Sequence, residues 1–144
     1  MPLLSEQDRQ TVRAQLARMT SPVRLLFFTQ AIGAPETALI TKQVLDEVAT
    51  LSGLISVEEA NFVLEKDRAA GYGVEHIPAV VLLANGDDSG MRFFGVPAGY
   101  EFMSLIEAVI LAGTEDSGLD AASRALIASH VTAPMNIQVF VTPT

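Results

Sequence analysis

Two short apolar runs constrain this chain more than any other feature. Residues 23–28 read Val-Arg-Leu-Leu-Phe-Phe, and residues 79–84 read Ala-Val-Val-Leu-Leu-Ala. Each is too short for a typical buried helix and nearly continuous in apolar side chains, which marks a strand covered on both faces. A sheet with such strands needs helices as its outer layers. The segments around the two runs supply them.

Residues 5–20 read as a first helix. Ser5 caps it, Glu6 and Asp8 lie in its first turn, and Val12, Leu16 and Met19 recur at helical spacing. Ser21-Pro22 ends it, because the residue before proline is driven out of the helical region. After the first strand, Pro35 and Glu36 open a helix that runs to about Leu51. Residues 54–60 read as a second strand and residues 62–71 as a short helix. His76-Ile77-Pro78 leads into the second apolar run, residues 85–90 are turn chemistry, and residues 91–95 form the returning strand of a hairpin. A helix over residues 100–112 follows, then a polar linker over residues 113–118 and a helix over residues 119–131. Asn136 to Val141 carries strong strand propensity.

Composition excludes much chemistry. The 144 residues fit one domain, or one domain plus a fragment of a second, and they contain no cysteine. Disulfides, thiolate metal sites, iron–sulfur clusters and cysteine nucleophiles are therefore ruled out for this chain. His76 and His130 are too few and too far apart for a zinc cluster, so no metal and no cofactor are expected. A net charge of −8 with nine scattered basic residues argues against nucleic acid. No apolar run approaches the roughly 20 residues of a membrane span, and Met1 to Gln10 is too charged for a signal peptide, so a soluble, cytoplasmic protein is expected. The hydrophobic fraction of 49% fits either a core filled with small residues or a face that meets a partner.

The order β-α-β, short helix, β-hairpin, helix is a thioredoxin-like arrangement. The expected fold is three-layer α/β/α around a mixed four-stranded sheet, with an extra N-terminal helix and a trailing helix plus strand. Three stretches carry a closer resemblance. Arg92, Phe93, Gly95, Pro97, Gly99, Glu101 and Phe102 form the frame of a signature where a last strand enters a last helix. Ile77-Pro78 stands where thioredoxin folds hold a cis-proline, and residues 139–144 read Val-Phe-Val-Thr-Pro-Thr. Together they resemble the tandem-thioredoxin-fold proteins: the glutaredoxin-like protein disulfide oxidoreductases and the N-terminal domain of the alkyl hydroperoxide reductase flavoprotein subunit. The resemblance implies three parts. These are a thioredoxin-like domain over residues 1–113, a linker and helix over 114–135, and a strand over 136–144 like the start of a second fold.

The resemblance also places a C-x-x-C motif at Gly33, Ala34, Pro35 and Glu36, where neither end of the quartet can form a thiolate. No catalytic residue is expected. His76, Ile77 and Pro78 would form a cis-proline loop able to hold peptide backbone. Glu36 reads as an ordinary first-turn acid complementing the helix dipole, His76 as a loop histidine, and His130 as a group at a helix C-terminus.

Three readings of function follow. The first is a redox-inactive accessory or docking module in cell redox homeostasis, meeting a protein partner of thiol–disulfide metabolism. The second is the N-terminal half of a protein disulfide oxidoreductase whose active cysteines lie beyond Thr144. The third is a binding or scaffold protein unconnected with redox. Asn136 to Val141, as a strand with open edges, is expected to mediate a homodimer.

Overall fold

The computed structural model describes residues 2–142, so Pro143 and Thr144 of the terminal string lie outside the described residues. Its elements are α1 (Glu6–Leu16), β1 (Val23–Thr29), α2 (Glu36–Ala49), β2 (Ile55–Asn61), α3 (Lys66–Gly71), β3 (Ala79–Ala84), β4 (Asp87–Phe94), α4 (Tyr100–Thr114) and α5 (Ala121–His130). The sheet runs β2-β1-β3-β4, with β1 parallel to β2 and antiparallel to β3, and β3 antiparallel to β4. The two apolar runs are therefore the central strands, as their two-sided burial requires.

Period-2 alternation divides the core between the faces. Leu25 and Phe27 of β1 join Val80 and Leu82 of β3 on one face, beneath Leu16 of α1, Leu45 and Val48 of α2 and Leu105, Ile106 and Val109 of α4. Leu26 and Phe28 join Ala79, Val81 and Leu83 on the other, beneath Ala69 of α3 and Val74. The result is a three-layer α/β/α body with one thick helical layer and one thin one.

Several expected boundaries shift. Helix α1 stops at Leu16, and the N–H groups of Thr20 and Ser21 both donate to the Gly113 carbonyl at the end of α4, each across 2.9 Å. Residues 62–65 are a turn, because Asn61 Oδ1 accepts from the N–H groups of Val63 and Leu64 at 3.0 Å, so α3 begins only at Lys66. The hairpin turn is two residues rather than six. Asn85 (φ 50°) and Gly86 (φ 92°) both take positive φ, the geometry that matches the twist of paired strands. Residues 87–90 instead enter β4, whose register slips opposite Leu82, where the Ser89 hydroxyl donates to the Leu82 carbonyl at 2.7 Å.

The expected strand at Asn136 to Val141 is corrected: no ladder forms there among the described residues. Propensity alone does not make a strand; its N–H and C=O groups need a neighbouring edge. Helix α5, capped by Asp120 accepting from the Ser123 N–H at 2.7 Å, buries none of its side chains.

Candidate functional site: the cysteine-free end of the sheet

One end of the sheet gathers three loops that are distant in sequence. The chain leaves β1 at Thr29, enters β3 after Pro78 and leaves β4 at Phe94, and the pairings Phe28↔Ala79 and Ala79↔Phe94 put these points side by side. Residues 30–36, 76–78 and 95–99 therefore meet at that end.

In the first loop, Gln30 Nε2 donates to the Gly33 carbonyl at 2.9 Å. Gly33 has φ +70°, a left-handed conformation that a side chain would strain. Pro35 takes the N-cap position in an extended conformation with no side-chain cap, and Glu36 is the first helical residue. The first N–H groups of α2 thus point out of the helix without a capping side chain. Glu36 is exposed, as its role as a first-turn acid allows.

In the second loop the Ile77–Pro78 peptide bond is cis. Pro78 is buried, and its carbonyl accepts the Gly95 N–H at 2.9 Å. His76 is exposed and lies edge-on to Phe94, with ring centroids 6.3 Å apart. The third loop is tied to α2. Thr41, fully buried, donates its hydroxyl to the Thr37 carbonyl at 2.8 Å and reaches the Gly95 carbonyl at 3.4 Å. Gly95 is thereby the bridge between the α2 N-terminal turns and the proline loop.

The signature residues divide by task. Arg92 forms two bonds to the Asp88 carboxylate at 2.7 and 2.6 Å, donates Nε to the Tyr72 carbonyl at 3.1 Å and lies 5.8 Å from the Tyr72 ring centroid. The hydrogen bond from Arg92, with that of the Gly90 N–H, outweighs burial and holds the Asp88 carboxyl below its ordinary value. Arg92 therefore anchors the segment that leads to His76. Phe93 and Phe102 pack on the core beneath the helices, and Pro97 is buried. Gly99 caps α4 at φ 62°, ψ −130°, a conformation essentially confined to glycine. Glu101 is half-buried in the first turn of α4.

Neither Thr41 nor Gln30 stands out in the sequence. Nor do the exposed apolar side chains Ile32 (90% exposed), Leu64 (82%) and Tyr100 (86%), which border this end. No group of residues able to hold a metal ion is found among the described residues. No helix among them is long and apolar enough to cross a membrane.

No family model matches the chain. Its fold and sequence match the NTD_N/C domain of alkylhydroperoxide reductase AhpF from Enterococcus faecalis, with a TM-score of 0.80 and 35% identity, over 88% of this chain and 60% of that one. A protein disulfide oxidoreductase from Aeropyrum pernix superposes with a TM-score of 0.74 at 27% identity, over 87% of this chain and 54% of that one. The alkyl hydroperoxide reductase AhpF of Escherichia coli is 26% identical over 115 residues, 80% of this chain and 20% of that protein. This chain is a cysteine-free, thioredoxin-fold homologue of these proteins. It is a domain related to those of thiol-redox proteins. It spans a fifth or less of the curated relatives it matches, among them an NADH dehydrogenase of Bacillus subtilis.

Proposed function

We propose that this chain is a catalytically silent thioredoxin/glutaredoxin-like domain that docks a protein of thiol–disulfide metabolism. One observation carries the reading. The loop geometry around Gly33 to Glu36, Pro78 and Gly95 is held by specific hydrogen bonds although the chain contains no sulfur nucleophile. Remove the thiol chemistry from such a site and its capacity to seat a partner segment along the proline loop survives. The thiols are then the partner's, and His76, Ile77 and Pro78 form the contact loop. The domain spans residues 1–113, and its setting is the cytoplasm.

A second reading is favoured by the 60% share of the Enterococcus faecalis domain that the chain spans. In it, the chain from Asn136 to Val141 leads into a further thioredoxin-like fold, and the partner cysteines belong to the same polypeptide. A homodimer through Asn136 to Val141 is the arrangement for a chain acting alone.

A photo-crosslinking amino acid at Ala34, with one at Ser123 as control, tests the proposal in source cells. Adducts with thiol-redox proteins specific to the Ala34 probe are expected. Adducts with redox-unrelated proteins alone would overturn it and leave a scaffold role. The mass of the native polypeptide in the same cells separates the two arrangements.

A further inference from the structure

Two features of the surface coincide at the same end of the sheet. Ile32, Leu64, Phe94 and Tyr100 stand in four separate loops or element ends there, and each is close to half exposed or more. At the opposite end, the hairpin and the start of β4 present Asn85, Asp87 and Asp88. Large side chains left in water by four segments at one end of the sheet are favourable to cover.

The charged groups around that surface are mostly acidic. Glu36 follows the Gly33 loop, Glu75 precedes His76, and Glu101 lies in the first turn of α4. Among the described residues, none of these three carboxylates has an ion-pair or hydrogen-bond partner. On β2 and just before α3, Glu58 pairs with Arg24 and Arg68, Glu65 with Arg68, and Glu59 with Lys42, while Asp67 of α3 is exposed with no partner among the described residues. Lys66 is the one exposed cation among the described residues at this end that is not paired.

From this pairing of exposed apolar groups with unanswered carboxylates, we propose that the cysteine-free end of the sheet selects a partner segment that is apolar and basic. Lysine or arginine side chains on the segment would alternate with large aliphatic ones. The proposal rests on the docking function above and names the chemistry of the partner. The apolar side chains supply the attraction once water is excluded, and the three carboxylates set the sign of charge accepted and speed encounter. A segment bearing acids in place of lysines meets like charge and is refused.

Fluorescence anisotropy with two labelled nonapeptides, one alternating leucine and lysine and one alternating leucine and glutamate, tests this. The leucine–lysine peptide is expected to bind at least about tenfold more tightly, a margin that shrinks between about 20 mM and about 300 mM NaCl. Joint substitution Glu36→Lys, Glu75→Lys and Glu101→Lys should erase the preference. The control Asp87→Lys, Glu107→Lys and Glu115→Lys, which changes net charge equally, should keep it. Leu64→Ser with Tyr100→Ser should weaken binding of both peptides. The proposal is overturned if the control loses the preference as fully as the site variant, since attraction to the overall −8 charge would then explain it. It is also overturned if the two peptides bind wild-type protein alike, or if the Leu64 and Tyr100 substitutions change nothing. Those outcomes would leave the crosslinking result at Ala34 standing, so the two proposals fail separately.

Discussion

Arg9 Nη1 donates to Glu47 Oε1 across 2.8 Å, joining α1 to the helix that carries the cysteine-free loop. The same carboxylate accepts the N–H groups of Leu3 at 2.6 Å and Leu4 at 3.1 Å, and its side chain is only 8% exposed. Burial is the largest single influence and opposes the charge. The Leu3 and Leu4 N–H groups and the Arg9 guanidinium together outweigh it and hold the Glu47 carboxyl below its ordinary value. Glu47→Ala leaves those donors without their acceptor and is expected to cost about 2–3 kcal/mol, measured by urea unfolding at neutral pH. Glu47→Gln, which keeps one acceptor, should cost less.

The sign of the pH dependence follows from the lowered pKa. Glu47 stabilises the fold in full above the unfolded glutamate value of about 4.3 and loses that contribution as pH falls through its lower folded value. Wild type should therefore lose its advantage over Glu47→Gln on acidification below about pH 4.3. An advantage that stays constant down to about pH 3 would show that the carboxylate charge is not the source.

Gly113 faces Met19 so closely that a Cβ there would lie 2.7 Å from Met19 Cε and 3.1 Å from Met19 Cβ. Alanine in a helix gains up to about 1 kcal/mol over glycine, but overpacking a buried contact costs about 1–3 kcal/mol. Gly113→Ala is expected to destabilise the wild type, and to do so less in a Met19→Ala background, which removes the Cε and Cγ contacts but keeps the 3.1 Å approach of Cβ. Thermal melts of the four proteins read out this coupling, and equal losses in both backgrounds would show that Met19 is not the source.

Helix α2 begins without a side-chain cap, so its N-terminus favours an anion. A thiol introduced as Glu36→Cys should ionise below the usual value of about 8.5, whereas Ala128→Cys near the end of α5 should not. The pH profile of iodoacetamide alkylation measures both. Equal midpoints would mean that the helix end exerts no useful field at the first position.

Residues 119–142 contribute no buried side chain, although Met135 and Ile137 border a cavity of about 370 Å³ beside β4 and α4. Deleting them should change the unfolding free energy of the remaining body by less than about 1.5 kcal/mol. A larger loss would mean that the cavity walls support the sheet.

The central strands are legible in the sequence because residues 23–28 and 79–84 carry their burial in composition alone. The turn at Asn85-Gly86 is legible too, but its length is not: Asp87 to Gly90 look like loop residues and become strand only because β3 lies alongside to pair with them. Asn136 to Val141 shows the reverse, high propensity without an edge to join. At the candidate site, Gly33 and Pro78 stand out as residue types. Thr41 does not, because its role exists only where α2 meets Gly95. A hydroxyl matters there through tertiary approach, and no local pattern announces it.

The two outer strands each carry a safeguard against uncontrolled sheet extension: charged Glu58 and Glu59 on β2, and an interrupted register on β4. Residues 137–141, Ile-Gln-Val-Phe-Val, carry none. They are uncharged, strongly β-forming and exposed, with Phe140 at 87%. That short window matches the composition of segments that stack into amyloid-type fibrils. Aggregation on storage should thus begin at these five exposed residues rather than in the buried core. Val139→Lys is expected to slow the growth of light scattering on storage while leaving the unfolding free energy of the body unchanged.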